Sequence, residues 1–545
     1  MSRSLSLLAA AVLLGGLRDP RVAGLGEAAV FILAAVERPA FGPSAAWLPW
    51  LAWAVLSAAL SLQPLASLPF LARWSAALAF FSLAASWDEA EREAWLKTVL
   101  ALTAVLALAA LWTGAGAGFR ATMTGLLPPY YNYTTFALSA GVAAGAVLAL
   151  HPWTSRREFR LAGGGVAALG SVCLAFAHGR AAVIGLAAAA IVWAARRWGA
   201  KAGFGALIAA GLLAAAFQAR LLPDSMRAYV TRHGGTYQEA RTGIWSGAAA
   251  IADESRWFGS GPGSFGAAFR LHPAEAHGGQ ARWGFGTDYA HSEPLQAAAE
   301  TGWLGLALWL IGLGAASCFL VGPASEEPAR EAAAIAAVAM GVHLAVDNML
   351  QLPGLAFLFF SALAVAGARP AAERRWPRSL AAVAAVLALV AWIPRALAQG
   401  DPERAAVLFP REEAPFEELA YRATAARDWD MADALWTKAA ERAPFNAVYP
   451  WRRAQIAAAR GRWSDAEALA RRAAGFEPGF LDDRVLHAQT LLRLGKRAEA
   501  RQELTEILHD FQTRGERAGS SGYDATIWAF DRKNYDRVAA LAKER

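Results

Sequence analysis

Two arginines and a histidine in this chain stand where charge is costly. Arg180 lies in AFAHGRAAVIGL between two apolar runs, and Arg241 lies in YQEARTGIWSG. His291 opens AHSEPLQAAAETGWLGL, where a His, a Ser and a Glu precede a climb into apolar sequence. Ionisable groups at the ends of apolar runs suggest function by default. Guanidinium groups stay charged and grip phosphate oxygens bidentately, and an imidazole exchanges a proton near neutral pH. On one surface, the three suit a phosphorylated ligand with a proton to move. Each also has a plainer reading: Arg180 snorkelling to lipid headgroups, Arg241 as a solvated loop charge, His291 capping the next helix or bonding Glu293. His178 and His343, deeper in apolar sequence, read as core histidines, and Asp347 in AVDNMLQLPG closes an apolar run where it can cap the next turn.

The elements that must position these groups are membrane helices. Gly302 to Val321 is 20 residues without a charge, enough to cross a hydrocarbon core of about 30 Å. Comparable runs fall roughly at 5–17, 23–36, 46–62, 68–86, 95–112, 135–151, 161–178, 181–195, 202–218, 302–321, 331–346, 353–367 and 379–397, about 12 or 13 spans in all. A hydrophobic fraction of 56% over 545 residues is high for any soluble class. The formal charge of +7 does not describe a nucleic-acid patch, because the basic residues sit in short loops: SRREFR (155–160), RRWGAK (196–201) and ARPAAERRWPRS (368–379). Such loops mark the cytoplasmic side. With 13 spans the N-terminus is cytoplasmic, and loop 113–134, the Gly179-Arg180 turn, a long excursion at about 219–301 and the C-terminal region all lie outside. The N-terminal MSRSLSLLAAAVLLGGL reads as a first short span rather than a cleaved leader, because a second apolar block follows at once. Cys173 and Cys318 lie within apolar runs, which leaves no disulfide framework or zinc site. In the excursion, Trp245 to Trp257 reads as an amphipathic helix. FGSGPGSF after it is a Gly/Pro loop with no strand before it, so it is not a nucleotide-binding turn.

After residue 400 a different rule governs the sequence. Gly461 and Gly495 are 34 apart; Ala432, Ala466 and Ala500 step by 34, as do Trp429 and Trp463, and Pro444 and Pro478. Small residues where paired helices touch, repeated at this period, are the tetratricopeptide signature. The repeats run at about 413–446, 447–480 and 481–514. The chain is therefore all-α, with a polytopic membrane helical bundle over 1–399 and a soluble tetratricopeptide-repeat domain over 400–545.

The motif order resembles the O-antigen ligase and polymerase superfamily. His291-Ser292 followed by Gly302 and Gly305 is similar to the His-Asn/Ser motif that opens a late span there. Gly179-Arg180-Ala181, Arg241-x3-Trp245 running into WFGSGPGSF, Asn132 in YYNYTTFALSAG and the segment VHLAVDNMLQLPG complete an ordered set over about residues 20–397. The resemblance implies a GT-C-like transferase that uses an undecaprenyl-diphosphate-linked glycan donor on the outer face of a bacterial inner membrane. It matches Arg180 and Arg241 to the diphosphate-contacting arginines and His291 to the catalytic-site histidine. Ser292, Glu293, Asn132 and Asp347 are supporting candidates. Ser292 departs from the Asn that often follows the histidine there. Repeats after the membrane domain occur in one branch of the superfamily and do not separate ligases from polymerases.

The expected chemistry is inverting glycosyl transfer. His291 takes the acceptor proton, and the arginines stabilise the leaving diphosphate. No carboxylate cluster resembles a metal site and arginine can neutralise a diphosphate alone, so no metal and no cofactor are expected. The acceptor is a lipid A-core, a glycan or a protein, the repeats can hold a protein partner, and no nucleic acid is involved. Rival readings are a polysaccharide polymerase, a protein O-oligosaccharyltransferase, a transporter or flippase with a partner-binding tail, and a plain anchor for a repeat scaffold. Transporters tend to show paired halves and midplane polar groups, which this chain lacks. The orientation is testable. A reporter active only outside the cytoplasm should be active when fused after Arg545 and silent near Arg197; the reverse pattern puts Arg180, Arg241 and His291 in the wrong compartment.

Overall fold

Apolar runs bounded by Pro, Gly and charged residues fold here as helices. The computed structural model describes residues 3–17, 19–40, 42–116, 131–152, 154, 156–177, 179–218, 234–272, 275–276, 280–281, 287–367, 375–477, 479–513 and 531–543. Each of the 13 apolar runs read from the sequence falls on a helix. Among the described residues, seven helices are long and apolar enough to cross a membrane: Pro64–Ala85, Glu89–Trp112, Tyr133–Leu150, Arg157–Phe176, Arg180–Trp198, Glu293–Ala316 and Arg378–Ala398. Shorter apolar helices are Arg3–Leu13, Ser44–Ala59, Ala200–Ala210 and Pro353–Gly367. The strands among the described residues, Glu275–Ala276 and Gln280–Ala281, form one small antiparallel pair. His178, residues 219–233 and Pro478 lie outside the described residues.

Chain contacts divide the molecule into two units. The first holds residues 1–234, 252–263 and 289–396; the second holds 235–251, 264–288 and 397–545. The division runs through the excursion. Residues 252–263 and 289–301 of the excursion belong with the apolar helices, and 235–251 and 264–288 belong with the C-terminal region. Nothing in the periodicity signals this, because the pairing is long-range.

In the first unit small residues bring helices together. A Cβ on Gly145 would lie 2.6 Å from the Gly163 carbonyl oxygen, and one on Gly185 would lie 2.3 Å from that of Ala339. Close backbone approach of this kind is how helices gain packing where lipid gives no hydrophobic drive. Larger gaps are filled by aromatics: Trp47 contacts Trp50, Trp74, Trp309 and Phe360 with ring centroids 5.5–6.2 Å apart. One charged pair is sealed inside. Arg196 meets Glu331 at 2.8 Å, their side chains 6% and 0% exposed, and Arg196 also donates to the Phe319 and Gly322 carbonyls. RRWGAK, expected as a short loop, is helical at its start: Arg196 lies in the last turn of the helix Arg180–Trp198 and is neutralised by Glu331.

In the second unit three helix pairs follow one another: Ala414–Ala425 with Trp429–Arg442, Val448–Ala459 with Trp463–Phe476, and Leu481–Arg493 with Arg497–Thr513. Ala432, Ala466 and Ala500 are all fully buried, as their period required. The turn inside each pair needs a left-handed residue at 427, 461 and 495. Gly461 (φ 73°) and Gly495 (φ 79°) supply it freely, and Arg427 (φ 58°) occupies the same place without a glycine's freedom. The first of the three turns therefore escaped a search for glycine.

Asp483, on Leu481–Arg493, is fully buried, and neither carboxylate oxygen has a hydrogen-bond partner among the described residues. Burial pushes its carboxyl well above the ordinary 3.8, with Arg484 pulling the other way. The folded state then holds a proton that the unfolded chain releases, so stability falls as pH climbs from the carboxylate range toward the folded pKa. The C-terminal region, expressed from about residue 400, should be soluble and helical by circular dichroism. Its Asp483→Asn variant should lose that decline and melt higher than wild type at pH 7. Aggregated material, or a variant that melts lower at pH 7, contradicts this account.

Candidate functional site

The helix Glu293–Ala316 is built to break. Gly302 sits at φ 75° and ψ 173°, outside helical space, so the polar segment before it and the apolar segment after it are two pieces. The break releases carbonyls that the next turn would have capped. Ala299 O accepts the Ser260 N–H at 2.9 Å, and Glu300 O accepts the Gly261 N–H at 2.9 Å and the Ser57 hydroxyl at 3.0 Å. Thr301 O accepts the Trp53 indole N–H at 3.0 Å. In return the Trp303 N–H donates to the Arg256 carbonyl at 2.9 Å. FGSGPGSF is thus a backbone clamp on the broken helix. Gly259 stands at φ 65°, where a Cβ would meet the Glu300 carbonyl carbon at 2.4 Å, so no other residue fits. The segment Gly234–Glu254 is the helix expected before this loop, starting earlier and stopping sooner than Trp245 to Trp257.

Ahead of the break the polar piece is locked down. Ser292 is the N-cap and accepts the Leu295 N–H at 3.5 Å. Its own N–H donates to the Asn348 side-chain oxygen at 2.9 Å. Glu293, fully inside, accepts the Leu350 N–H at 2.8 Å. Gln296 accepts the Ala290 N–H and donates to Glu300, both at 2.7 Å. The cap therefore belongs to Ser292, and Glu293 faces Leu350, which replaces the two plainer readings of His291. His291 itself takes a left-handed backbone (φ 50°), a conformation that costs a non-glycine residue about 1–3 kcal/mol and clusters at functional sites. Its Nδ1 lies 3.3 Å from Asp347 Oδ1; the imidazole is 29% exposed and the carboxylate 3%. The Asn348 N–H donates to the same oxygen at 3.0 Å. A carboxylate on Nδ1 fixes the tautomer that leaves Nε2 with a lone pair. Asp347, which the sequence read as a turn cap, is therefore a partner of His291. Asn348 is the residue that sequence reasoning missed.

A chain of contacts ties Arg180 to this end of the first unit. His343 lies 3.9 Å from the second Asp347 oxygen and packs edge-on against Phe136 at 5.2 Å. It is buried, as its apolar setting implied. Beside Phe136, Thr135 packs on Gly179, where a Cβ would approach Thr135 Cγ2 to 2.9 Å. Arg180 follows as the first residue of Arg180–Trp198, half-buried, with no hydrogen bond or ion pair among the described residues. A cation at a helix N-terminus opposes the macrodipole, so helix stability does not explain it. Asn132 is the second residue of Tyr131–Leu150, one turn before Thr135; its side chain lies outside the described residues. Arg241 belongs to the second unit. It is half-buried on Gly234–Glu254, one turn before Ile244 on the face that Ile244, Ala248 and Ile251 bury. The structure thus brings His291, Ser292, Glu293 and Asp347 together, reaches Arg180 only indirectly through His343, Phe136, Thr135 and Gly179, and carries Arg241 on a separate unit. Among the described residues no group of His, Cys, Asp and Glu could hold a metal ion.

The break is testable by itself. Gly302→Ala forces a side chain into left-handed backbone 2.4 Å from the Trp257 carbonyl oxygen, whereas Gly314 in the same helix has nothing within 4 Å. Gly302→Ala should lower the thermal midpoint in detergent, by roughly 1–3 kcal/mol of strain or more, and Gly314→Ala should not. Equal midpoints would mean that the break is incidental.

Residues 165–310 match the protein family described as O-Antigen ligase, a stretch that includes Arg180, Arg241, His291, Ser292, Gly302 and Gly305. No curated protein matches the chain. Long apolar helices together with this match support a multi-pass membrane protein with a glycan-transfer function. The match supports placing the chain in the O-antigen ligase superfamily.

Proposed function

We propose that this protein moves a glycan from an undecaprenyl-diphosphate carrier to an acceptor hydroxyl on the outer face of the inner membrane, in the manner of an O-antigen ligase. The observation that carries the reading is the His291–Asp347 pair, 3.3 Å apart, in which His291 stands at the head of a helix long and apolar enough to cross a membrane and inside the stretch matched by that family, while Asp347 reaches it from beyond that stretch. His291 Nε2 takes the acceptor proton as the acceptor oxygen bonds to the anomeric carbon. The bond from that carbon to the diphosphate oxygen breaks, and the configuration inverts in a single displacement. Asp347 holds the imidazole and stabilises the imidazolium that forms, as a carboxylate does for a histidine base. Arg180 and Arg241 take up charge on the leaving diphosphate, so that arginine does the work a metal does elsewhere. The helix pairs are tetratricopeptide repeats in this reading, outside the cytoplasm, holding the acceptor or a protein partner.

The substitutions should differ in kind, measured as glycan transfer from purified lipid-linked donor with membrane protein levels matched. His291→Ala should keep donor binding while turnover falls by roughly 10²–10⁴. Asp347→Asn, which reverses the preferred tautomer, should cost up to about 10⁴. Arg241→Lys keeps charge but loses the fork, so donor use should still suffer. Arg180→Ala should weaken donor binding. Near-normal transfer by His291→Ala reduces that histidine to a structural residue. Deleting the gene separates ligase from polymerase: finished polymer trapped on the carrier marks a ligase, and single repeat units on the acceptor mark a polymerase.

A further inference from the structure

The second unit joins the helix that bears Arg241 to the C-terminal helix pairs. On Gly234–Glu254 the face running from Arg241 through Ile244, Ala248 and Ile251 is buried below the arginine. Next to it, Gly247 lies against Phe269, so close that a Cβ would meet the ring at 2.6 Å. Phe269 closes the short helix Phe265–Phe269 and stacks on Phe265 at 5.6 Å. The next residue is Arg270. Its guanidinium is only 16% exposed and binds two carboxylates, Asp288 at 3.0 Å and Glu413, which opens the first helix pair and is 11% exposed. Burial pushes the Glu413 carboxyl up, while Arg270 pulls it down. Tyr449, also within electrostatic reach of Arg270, donates its hydroxyl to Glu417 at 3.2 Å. A buried ion pair of this kind adds little net stability, because desolvation offsets its attraction; its best-attested use is to fix register. Two apolar residues would join these segments as firmly and far less specifically.

We infer that Arg270 and Glu413 are positioning residues: through Phe269 and Gly247 they set the register of the Arg241 helix on the helix pairs, and so the placement of a donor-binding arginine. This rests on the reading of Arg241 as a diphosphate ligand. It gives the C-terminal region a part in donor use, beyond holding an acceptor.

The test uses the full-length protein in lipid nanodiscs, with Arg270→Glu, Glu413→Gln, Glu413→Arg and the double swap Arg270→Glu with Glu413→Arg. Amide exchange across 241–254 reads the register, and transfer kinetics with lipid-linked glycan read its consequence. Each single change should raise exchange across 241–254 and lower kcat/KM for donor by about 10²-fold, the cost of misplacing a binding group by about 1 Å. Acceptor KM should stay unchanged. Glu413→Gln, which keeps size and removes only charge, guards against misfolding. The double swap should recover protection and most of the donor kcat/KM, which loss of bulk stability alone would not predict. Unchanged exchange in the single variants, normal donor kinetics despite raised exchange, or no recovery in the swap each overturns the positioning role. A wild-type protein that moves no glycan from the carrier instead refutes the transferase reading, and the exchange data still report whether the pair sets the helix.

Discussion

Backbone carbonyls released inside an apolar bundle must be paired, and much of the first unit follows from that. A broken helix costs several kcal/mol for each unpaired group where water is absent. Here the carbonyls of Ala299, Glu300 and Thr301 are met by the Ser260 and Gly261 amides and by the Ser57 and Trp53 side chains. The donors come from a shorter apolar helix and from a loop some 40 residues upstream, reaching in because glycines let the backbone approach. The clamp fixes the polar segment 293–301, and that segment in turn presents Ser292 and His291. Rigid support behind a reactive group is what a site needs, since small misplacements are costly.

The partners of His291 extend this logic. Asp347 and Asn348 leave the helix Pro328–Leu344 where its regular hydrogen bonding ends, so their side chains are available to another element. One takes the imidazole and the other the Ser292 amide. Two segments more than 50 residues apart are thereby stitched at adjacent positions on each side. Strain at His291 persists because both neighbours are held.

Local rules made some of this legible and hid the rest. Runs of apolar residues located each helix, since a span is a property of its own sequence. Ala432, Ala466 and Ala500 were visible because paired helices repeat their contacts. The motif order pointed to Arg180, Arg241 and His291 without geometry. Hidden were the features made by partners far along the chain. Asn348 looks like any residue of a turn until Ser292 is beside it. FGSGPGSF reads as a loop until Gly259 is seen against the broken helix at Glu300, and Gly261 and Gly263 against Ser61 and Ala66. Arg196 belongs to a basic loop until Glu331 covers it, and nothing local singles out Arg270, whose partner Glu413 lies far along the chain.

The sealed Arg196–Glu331 pair has a consequence in time. Arg196 emerges from the ribosome 135 residues before Glu331, a gap on the order of ten seconds at typical synthesis rates. During that interval its carboxylate partner does not yet exist, and an uncompensated basic residue at the end of an apolar helix is of the kind that biases orientation in a membrane. Once Glu331 arrives, the same guanidinium is withdrawn from solvent and becomes a clasp between helices.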